Sequence, residues 1–225
     1  ARANIPVVAS SGDSGVAWPG RKGRRALYPV TDPNVTAVGG TLLTLDQHGN
    51  REVPDIAWGP DAKGGASGGG VSRLDPRPSW QATTPGTSPK GRTYPDISMT
   101  GATSGGMVLA LADLAPDVPV DFAPVGGTSV AAPIFAGVLA LVRQRAGHPL
   151  HAVNRALYRL ARAPRRNGIV DVVLGNNSYG NAKDDSGQGT QIQGFIAQPG
   201  YDAVTGLGTI DPPRFIPALA RATTP

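Results

Sequence analysis

The chain has 225 residues, a formal net charge of +5 and no cysteine, with 31 glycines and 22 prolines. Its length is enough to bury a sizeable core as one large domain or two small ones. The lack of cysteine excludes disulfide frameworks and thiolate metal sites. No apolar run approaches the roughly 20 residues that a membrane helix needs, so we expect a globular, loop-rich protein without a membrane partner.

Two short buried strands are predicted near the start of the chain. The segments "IPVVAS" (5–10) and "VTAVGGT" (35–41) are apolar runs bounded by turn residues. The first strand ends abruptly in Ser-Ser-Gly-Asp-Ser-Gly, a turn that delivers one carboxylate, Asp13, between glycines.

The glycine-rich stretch 64–70 has the composition of a flexible linker. It lies between Trp58 and Trp80, however, and these large residues predict that the stretch is held between ordered segments.

Two helices are predicted in the second half. The segment from Ser129 to Gly147 is apolar on nearly all sides and basic at its end, which indicates a buried helix with a favourable C-terminus. An amphipathic helix follows at 151–162. Its arginines lie on one face with Arg166, but no aromatic residues interleave with them, so we expect a solvated face rather than a nucleic-acid partner.

The segment "GGTSVAAP" (126–133) carries the strongest chemical signal. It places Ser129 after two glycines at a helix start, where backbone N–H groups are unpaired and the helix dipole is positive. A hydroxyl there can act as a nucleophile whose acyl intermediate is stabilised by nearby donors. The pattern alone equally allows Ser129 to be a simple N-cap.

Gly-Thr-Ser followed by small residues and proline resembles the nucleophile segment of subtilisins and of sedolisins, the serine-carboxyl peptidases. The three histidines, His48, His148 and His151, lack the glycine-flanked helix start of a subtilisin base. The segment "SSGDSGV" (10–16) instead closely resembles the sedolisin turn in which an aspartate belongs to the oxyanion hole. By this resemblance Asp13 is the oxyanion acid and Ser129 the nucleophile.

The resemblance extends along nearly the whole chain, as segments that match sedolisins occur in the sedolisin order at 28–41, 66–81, 92–98, 126–141 and 200–212. It implies an α/β, subtilisin-like fold with a mostly parallel sheet. It also implies that Ser67, Gly68, Gly69 and Gly70 line the substrate cleft, where bare backbone can pair with an extended peptide. For Asp96 we expect a structural role, in holding backbone amides.

Sedolisins bind one calcium ion near the C-terminus, and the resemblance places this region at about 168–212. The implied ligands are the carboxylates of Asp171 and Asp202 and the carbonyls of Val172, Gln198 and Gly200. Such an oxygen-only set suits Ca²⁺; the alternative is two solvated loop aspartates. Residues 176–189 are not assigned to the ion and are expected to be a mobile insertion.

The base that sedolisins use is a glutamate oriented by an aspartate four residues later on one helix. The chain has a single glutamate, Glu52, and residue 56 is Ile56. Asp55 follows three residues after Glu52, but Pro54 between them indicates extended loop. We therefore expect residues 1–225 to be the C-terminal part of a catalytic domain whose N-terminal part is absent from this chain. The Glu/Asp pair would be supplied by an upstream segment of the same precursor or by a second chain.

The resemblance to sedolisins implies a secreted serine-type endopeptidase, made as a proenzyme, that hydrolyses peptide bonds in proteins through an acyl-enzyme. An aspartic acid donates a hydrogen bond only when protonated, so activity is expected at acidic pH. The alternatives are a subtilisin-type peptidase and a catalytically inactive, sedolisin-like binding module that lacks the Glu/Asp pair.

Overall fold

The structure, a computed structural model, describes residues 5–17, 23–60, 65–111, 121–163, 167–183 and 189–223. Its strands are β1 (Val7–Ser10), β2 (Val35–Leu42), β3 (Ile56–Ala57), β4 (Gly70–Pro76), β5 (Gly91–Tyr94), β6 (Ile97–Thr100), β7 (Met107–Leu111), β8 (Asp121–Val125), β9 (Ile169–Val170), β10 (Tyr179–Lys183), β11 (Gly189–Ile192) and β12 (Thr209–Ile210). Its α-helices are α1 (Thr128–Ala146), α2 (Val153–Ala161) and α3 (Pro212–Ala222), and short 3-10 turns lie at Ser79–Gln81 and Thr103–Gly105.

The central sheet is mostly parallel, as predicted. Strand β2 pairs in parallel with β1 on one side and with β6 on the other, and the short β3 joins its end in antiparallel pairing. Because β2 is covered on both faces, all of its residues except the last are buried, which explains the continuous apolar run of its sequence. The remaining strands form the two-stranded pairs β4–β5, β7–β8, β9–β12 and β10–β11.

Helix α1 packs across β1, β2 and β6 and also against α3. Its inner face contributes Phe135, Leu139 and Val142 to the main core, where Phe135 meets Phe215 of α3. The prediction of a buried helix is confirmed for this inner face and is wrong for the outer face, where Leu141 is half exposed. Small residues form much of the rest of this outer face, so an apolar sequence does not require burial all round.

Helix α2 is amphipathic as predicted, with Leu157 and Tyr158 fully buried. Two of its arginines bind chain oxygens: Arg159 donates to the Ala222 carbonyl and Arg162 to the Tyr158 carbonyl. Arg166, which was predicted to share their face, lies outside the described residues.

The expectation of a mobile insertion at 176–189 is also wrong for most of that stretch. Strands β10 and β11 pair as an antiparallel hairpin from Tyr179↔Ile192 onward. The buried Asn177 holds its base by accepting the N–H of Phe195 and donating to the Ala203 carbonyl. Residues 184–188 lie outside the described part of the chain.

The glycine-rich stretch is held as predicted from residue 65 onward. Trp58 is buried, and its backbone bonds both to Gly40 of β2 and to Ser67. Residue 64, the first of that prediction, is not among the described residues. No α-helix in the described ranges has the length and apolar character to cross a membrane.

Candidate active site

Ser129 is the second residue of α1 and its side chain is exposed. The residue that caps the helix is Gly127, without a side-chain cap. The N-cap interpretation of Ser129 is therefore wrong, and its hydroxyl lies at the exposed positive end of the helix dipole.

Asp13 reaches the same helix start from the turn after β1. Its Oδ1 accepts two hydrogen bonds from Thr128, one from the backbone N–H and one from the hydroxyl, both at 2.7 Å. The Thr128 hydroxyl oxygen in turn accepts the N–H of Gly12 at 3.0 Å. One threonine thus joins the two predicted catalytic segments through three hydrogen bonds.

Gly127 keeps the space between the two side chains open. A Cβ at this position would lie 2.9 Å from Asp13 Oδ2 and 2.9 Å from Ser129 Oγ. The two oxygens therefore face one small space, which any side chain at residue 127 would fill. The positive φ of 110° also favours glycine at this position.

The pair lies at the carboxyl edge of the parallel strands. Asp13 follows the end of β1, and the N–H of Gly127 donates to the carbonyl of Gly101, just after β6 ends. In open α/β sheets this edge is where ligands bind. Sequence reasoning found Asp13 and Ser129 but missed Thr128, although a hydroxyl residue at the first helical position was a usable signal.

The predicted substrate-lining segment lies directly behind the Asp13 turn. Ser67 is fully buried, and its hydroxyl accepts the Gly40 N–H and donates to the Val204 carbonyl, both at 3.0 Å.

Gly68 donates to the Gly12 carbonyl at 2.7 Å, and a Cβ on it would lie 2.0 Å from the Ser11 carbonyl oxygen. Gly69 and Gly70 lead into β4 and are also buried. These contacts position the turn; the substrate contact of all four residues stays a prediction.

Asp96 has the structural role expected of it. It is fully buried and accepts hydrogen bonds from the Ala37 N–H at 2.9 Å, from the Tyr158 hydroxyl at 2.9 Å and from Arg92 at 2.5 Å. Arg92 is fully buried as well. Burial is the largest single influence and would lower the pKa of Arg92, but Asp96 together with Tyr158 and Tyr201 outweighs it and raises that pKa, so the guanidinium stays charged.

The two carboxylates of the predicted calcium site, Asp171 and Asp202, contact one turn. Asp171 Oδ2 accepts the N–H of Gly200 at 2.8 Å, and Asp202 Oδ2 accepts the N–H of Gln198 at 3.1 Å. Val172 follows Asp171 and is buried. Asp171, Gln198 and Gly200 line one cavity of about 810 Å³, whereas Val172 and Asp202 are buried and do not line it.

Asp202 is 2% exposed, and this burial raises its pKa against the opposing hydrogen bonds from Thr205, Val204 and Gln198. Within the described ranges, no three His, Asp or Glu side chains form a group that could hold a metal ion. A cation here would therefore depend on two carboxylates and on backbone carbonyls.

Glu52 lies in the loop between β2 and β3. This agrees with the extended loop that the sequence indicated, and it means that Glu52 is not on a helix. Asp55 is buried beside Arg51, at 2.7 Å, and accepts a hydrogen bond from the Thr41 hydroxyl. Burial raises the pKa of Asp55, although Arg51 and the Thr41 hydroxyl oppose it. These two contacts hold the Asp55 side chain at the end of β2.

With this geometry established, comparisons with known proteins identify the family. The sequence profile of the Subtilase family matches residues 1–189. Kumamolisin of Bacillus sp. (strain MN-32) is 31% identical over 223 residues, which cover 96% of this chain and 36% of that protein. Human tripeptidyl-peptidase 1 is 32% identical over 236 residues, with 96% and 37% covered. The chain thus spans little more than a third of these relatives.

A solved structure agrees with the sequence comparisons. Pseudomonas sedolisin, described as a serine-carboxyl proteinase complexed with two molecules of pseudo-iodotyrostatin, is 29% identical with a TM-score of 0.74. The match covers 94% of this chain and 54% of the sedolisin chain. The chain therefore belongs to the subtilase family and, by these relatives, to the sedolisins within it.

Proposed function

We propose that the full-length protein is a serine-carboxyl peptidase that hydrolyses peptide bonds in proteins at acidic pH. The observation that carries this proposal is the convergence of Asp13 Oδ2 and Ser129 Oγ on the space kept open by Gly127. The peptidases among its relatives support the same reaction class.

In the proposed reaction, Ser129 Oγ attacks the carbonyl carbon of the scissile peptide bond. The hydroxyl proton passes to a general base, which the resemblance to sedolisins assigns to a glutamate. The tetrahedral intermediate collapses, the C–N bond breaks, and the amine leaves with a proton. Water then hydrolyses the acyl-enzyme and regenerates the Ser129 hydroxyl.

Asp13 is suited to donate a hydrogen bond to the oxyanion. Its Oδ1 uses its lone pairs to accept two bonds from Thr128, so the proton of the neutral acid belongs on Oδ2. That atom faces the same space as the nucleophile. Since aspartic acids are ordinarily protonated only in acidic solution, this donor limits the reaction to acidic pH.

The Ser129 N–H is the second candidate donor. In the described part of the chain, the N–H of Thr128 is used by Asp13, and the N–H groups of Val130 and Ala131 are used by Gly127. The Ser129 N–H lies between them at the positive end of the helix. A preorganised pair of donors of this kind stabilises a developing oxyanion.

We further propose that Ca²⁺ binds at the turn held by Asp171 and Asp202, with carbonyls of Val172, Gln198 and Gly200. Both carboxylates accept N–H groups of the turn that carries Gln198 and Gly200, and this proximity supports the assignment. The ion would supply positive charge that fixes the turn to the end of β9. Secretion and synthesis as a proenzyme stay predictions.

Replacement of the nucleophile tests the proposed function. Ser129→Ala in the full-length protein should lower kcat on an acid-denatured protein substrate by about 10⁴-fold or more, scored as new amino termini. The exposed Ser79 provides a matched control, and Ser79→Ala should retain activity. Near-normal turnover by Ser129→Ala would refute the nucleophile. An inactive parent protein would favour the binding-module alternative.

A further inference from the structure

A second cavity, of about 970 Å³, opens between the loop at 23–31 and strand β4. Leu27, Tyr28, Val71 and Leu74 give it an apolar lining. Two of these are prominently exposed, Tyr28 at 81% and Leu74 at 93%. Such exposure of large apolar side chains around a concave site is typical of a binding surface.

Cations dominate the charge of this cavity. Its lining holds Arg24, Arg25, Arg73 and Lys90 against one carboxylate, Asp75. Asp75 is already engaged, because its Oδ2 accepts the Ser72 hydroxyl at 3.0 Å. The cavity therefore presents a positive field to any ligand that enters it.

The four cations divide into two groups. Arg24 has a structural role, since its guanidinium donates to the carbonyls of Gln193 and Gly194 and lies 4.4 Å from the centre of the Phe195 ring. Arg25, Arg73 and Lys90 are exposed, and none of them makes an ion pair with a described residue. Three cations are thus available to an anionic ligand.

The cavity shares a wall with the turn that carries Asp13. Leu27 Cδ1 lies 2.7 Å from the position that a Cβ on Gly12 would take. On the other side, Gly69 of the cavity lining follows Gly68, whose N–H donates to the Gly12 carbonyl. The cavity is therefore adjacent to the turn whose Asp13 Oδ2 faces the same small space as Ser129 Oγ.

We propose that this cavity is a specificity subsite that accepts an acidic side chain of the peptide substrate, through Arg25, Arg73 and Lys90. The proposal rests on the peptidase function proposed above and names its substrate class. The apolar lining would contact the aliphatic stem of a glutamate while the cations bind its carboxylate.

The acidity of the ligand makes the proposal specific. A glutamate side chain titrates at about pH 4.3, so it binds the cations well only above that pH. A cysteic acid side chain carries a sulfonate, which stays ionised throughout the acidic range. A preference that depends on charge should therefore vanish at low pH for glutamate and persist for cysteic acid.

The test uses the full-length protein and peptides in which one position at a time is Glu, Gln or cysteic acid. At one position, kcat/KM for Glu should exceed that for Gln by roughly fivefold at pH 5 and approach it at pH 3. Cysteic acid should keep its advantage at both values. Arg73→Gln combined with Lys90→Gln should remove the preference for Glu over Gln at that position. Arg143→Gln, which removes an exposed cation on α1, should leave the preference intact.

Failure of the subsite and failure of the peptidase are separable. If Gln peptides are cleaved but no position distinguishes Glu from Gln, the subsite is overturned and the peptidase stands. A preference that survives in the double variant also overturns the assignment to this cavity. If the parent cleaves no peptide, fluorescence anisotropy of labelled Glu and Gln peptides decides the matter, and equal affinities overturn the subsite.

Discussion

Asp13 and Asp96 are two carboxylates at opposite edges of the same sheet. Asp13 follows the end of β1, whereas Asp96 directly precedes β6, and these strands run in the same direction because both pair in parallel with β2. Asp13 is exposed and is anchored through one oxygen, Oδ1. Asp96 is fully buried and both of its oxygens accept hydrogen bonds.

The difference fits the reactive role proposed for Asp13 and a scaffold role for Asp96. A carboxylate with both oxygens occupied and no access to solvent cannot meet a substrate, but it can fix the segments that donate to it. A carboxylate held by one oxygen is oriented, and its other oxygen remains available for chemistry. Asp96 thus joins β2, β5 and α2 at the amino edge of the sheet. Asp13 lies at the carboxyl edge, where it binds the start of α1.

Breaking the buried pair should have the largest effect on stability. Asp96→Asn leaves the charge of Arg92 buried without its partner, so the free energy of unfolding should fall by about 3–5 kcal/mol. Urea unfolding measures this loss. Activity per folded molecule should be retained, because Asp96 lies at the edge of the sheet opposite Ser129.

The control replaces both members of the pair. The combination of Arg92→Met and Asp96→Leu removes both charges and should cost less than Asp96→Asn alone, since no unpaired ion remains in the core. A stability loss in the single variant below about 1 kcal/mol would show that the pair does not organise the sheet.

The complementary change is Asp13→Asn, which should affect activity and spare stability. The amide oxygen can still accept the two bonds from Thr128, while the NH₂ group takes the place of Oδ2. At acidic pH kcat should fall by about 10²–10³-fold, the usual cost of an impaired oxyanion donor. Because an amide donates without a proton, the remaining activity should decline less steeply as pH rises. A pH–rate profile of the parent shape would contradict the oxyanion role.

The sequence predicted those parts of the molecule that local pattern determines. The strands at 5–10 and 35–41, helix α1 and the turns that carry Asp13 and Ser129 all have short-range signals in glycine placement and apolar periodicity. Thr128 was missed because its role depends on a partner 115 residues away. Such a contact leaves no periodic pattern in one sequence.

Long-range packing also explains the errors. Leu141 of α1 lies on a face that the structure leaves half exposed, although its residue type favours burial. The polar stretch at 176–189 contributes strand β10 and the first residue of β11 to a hairpin, and the buried Asn177 before that hairpin binds Phe195 and Ala203 across the fold. Composition alone reports neither the neighbours of a helix nor the partners of one asparagine.

Asp202 provides an intermediate case, because it is buried like Asp96 but belongs to a proposed ion site. If Ca²⁺ binds there, Asp202→Ala or Asp171→Ala should lower the melting temperature in calcium buffer. A ligand present at a hundred times its Kd stabilises the folded state by about 2.7 kcal/mol, and this contribution should be lost.

A chelator should then destabilise the parent but have little further effect on either variant. The matched control is Asp211→Ala, which removes another carboxylate that lines the same cavity as Asp171 and pairs with Arg214 at 3.3 Å; its response to the chelator should equal that of the parent. If Asp171→Ala and Asp202→Ala respond to the chelator as strongly as the parent, the ion binds elsewhere, and Asp202 is a scaffold carboxylate of the same kind as Asp96.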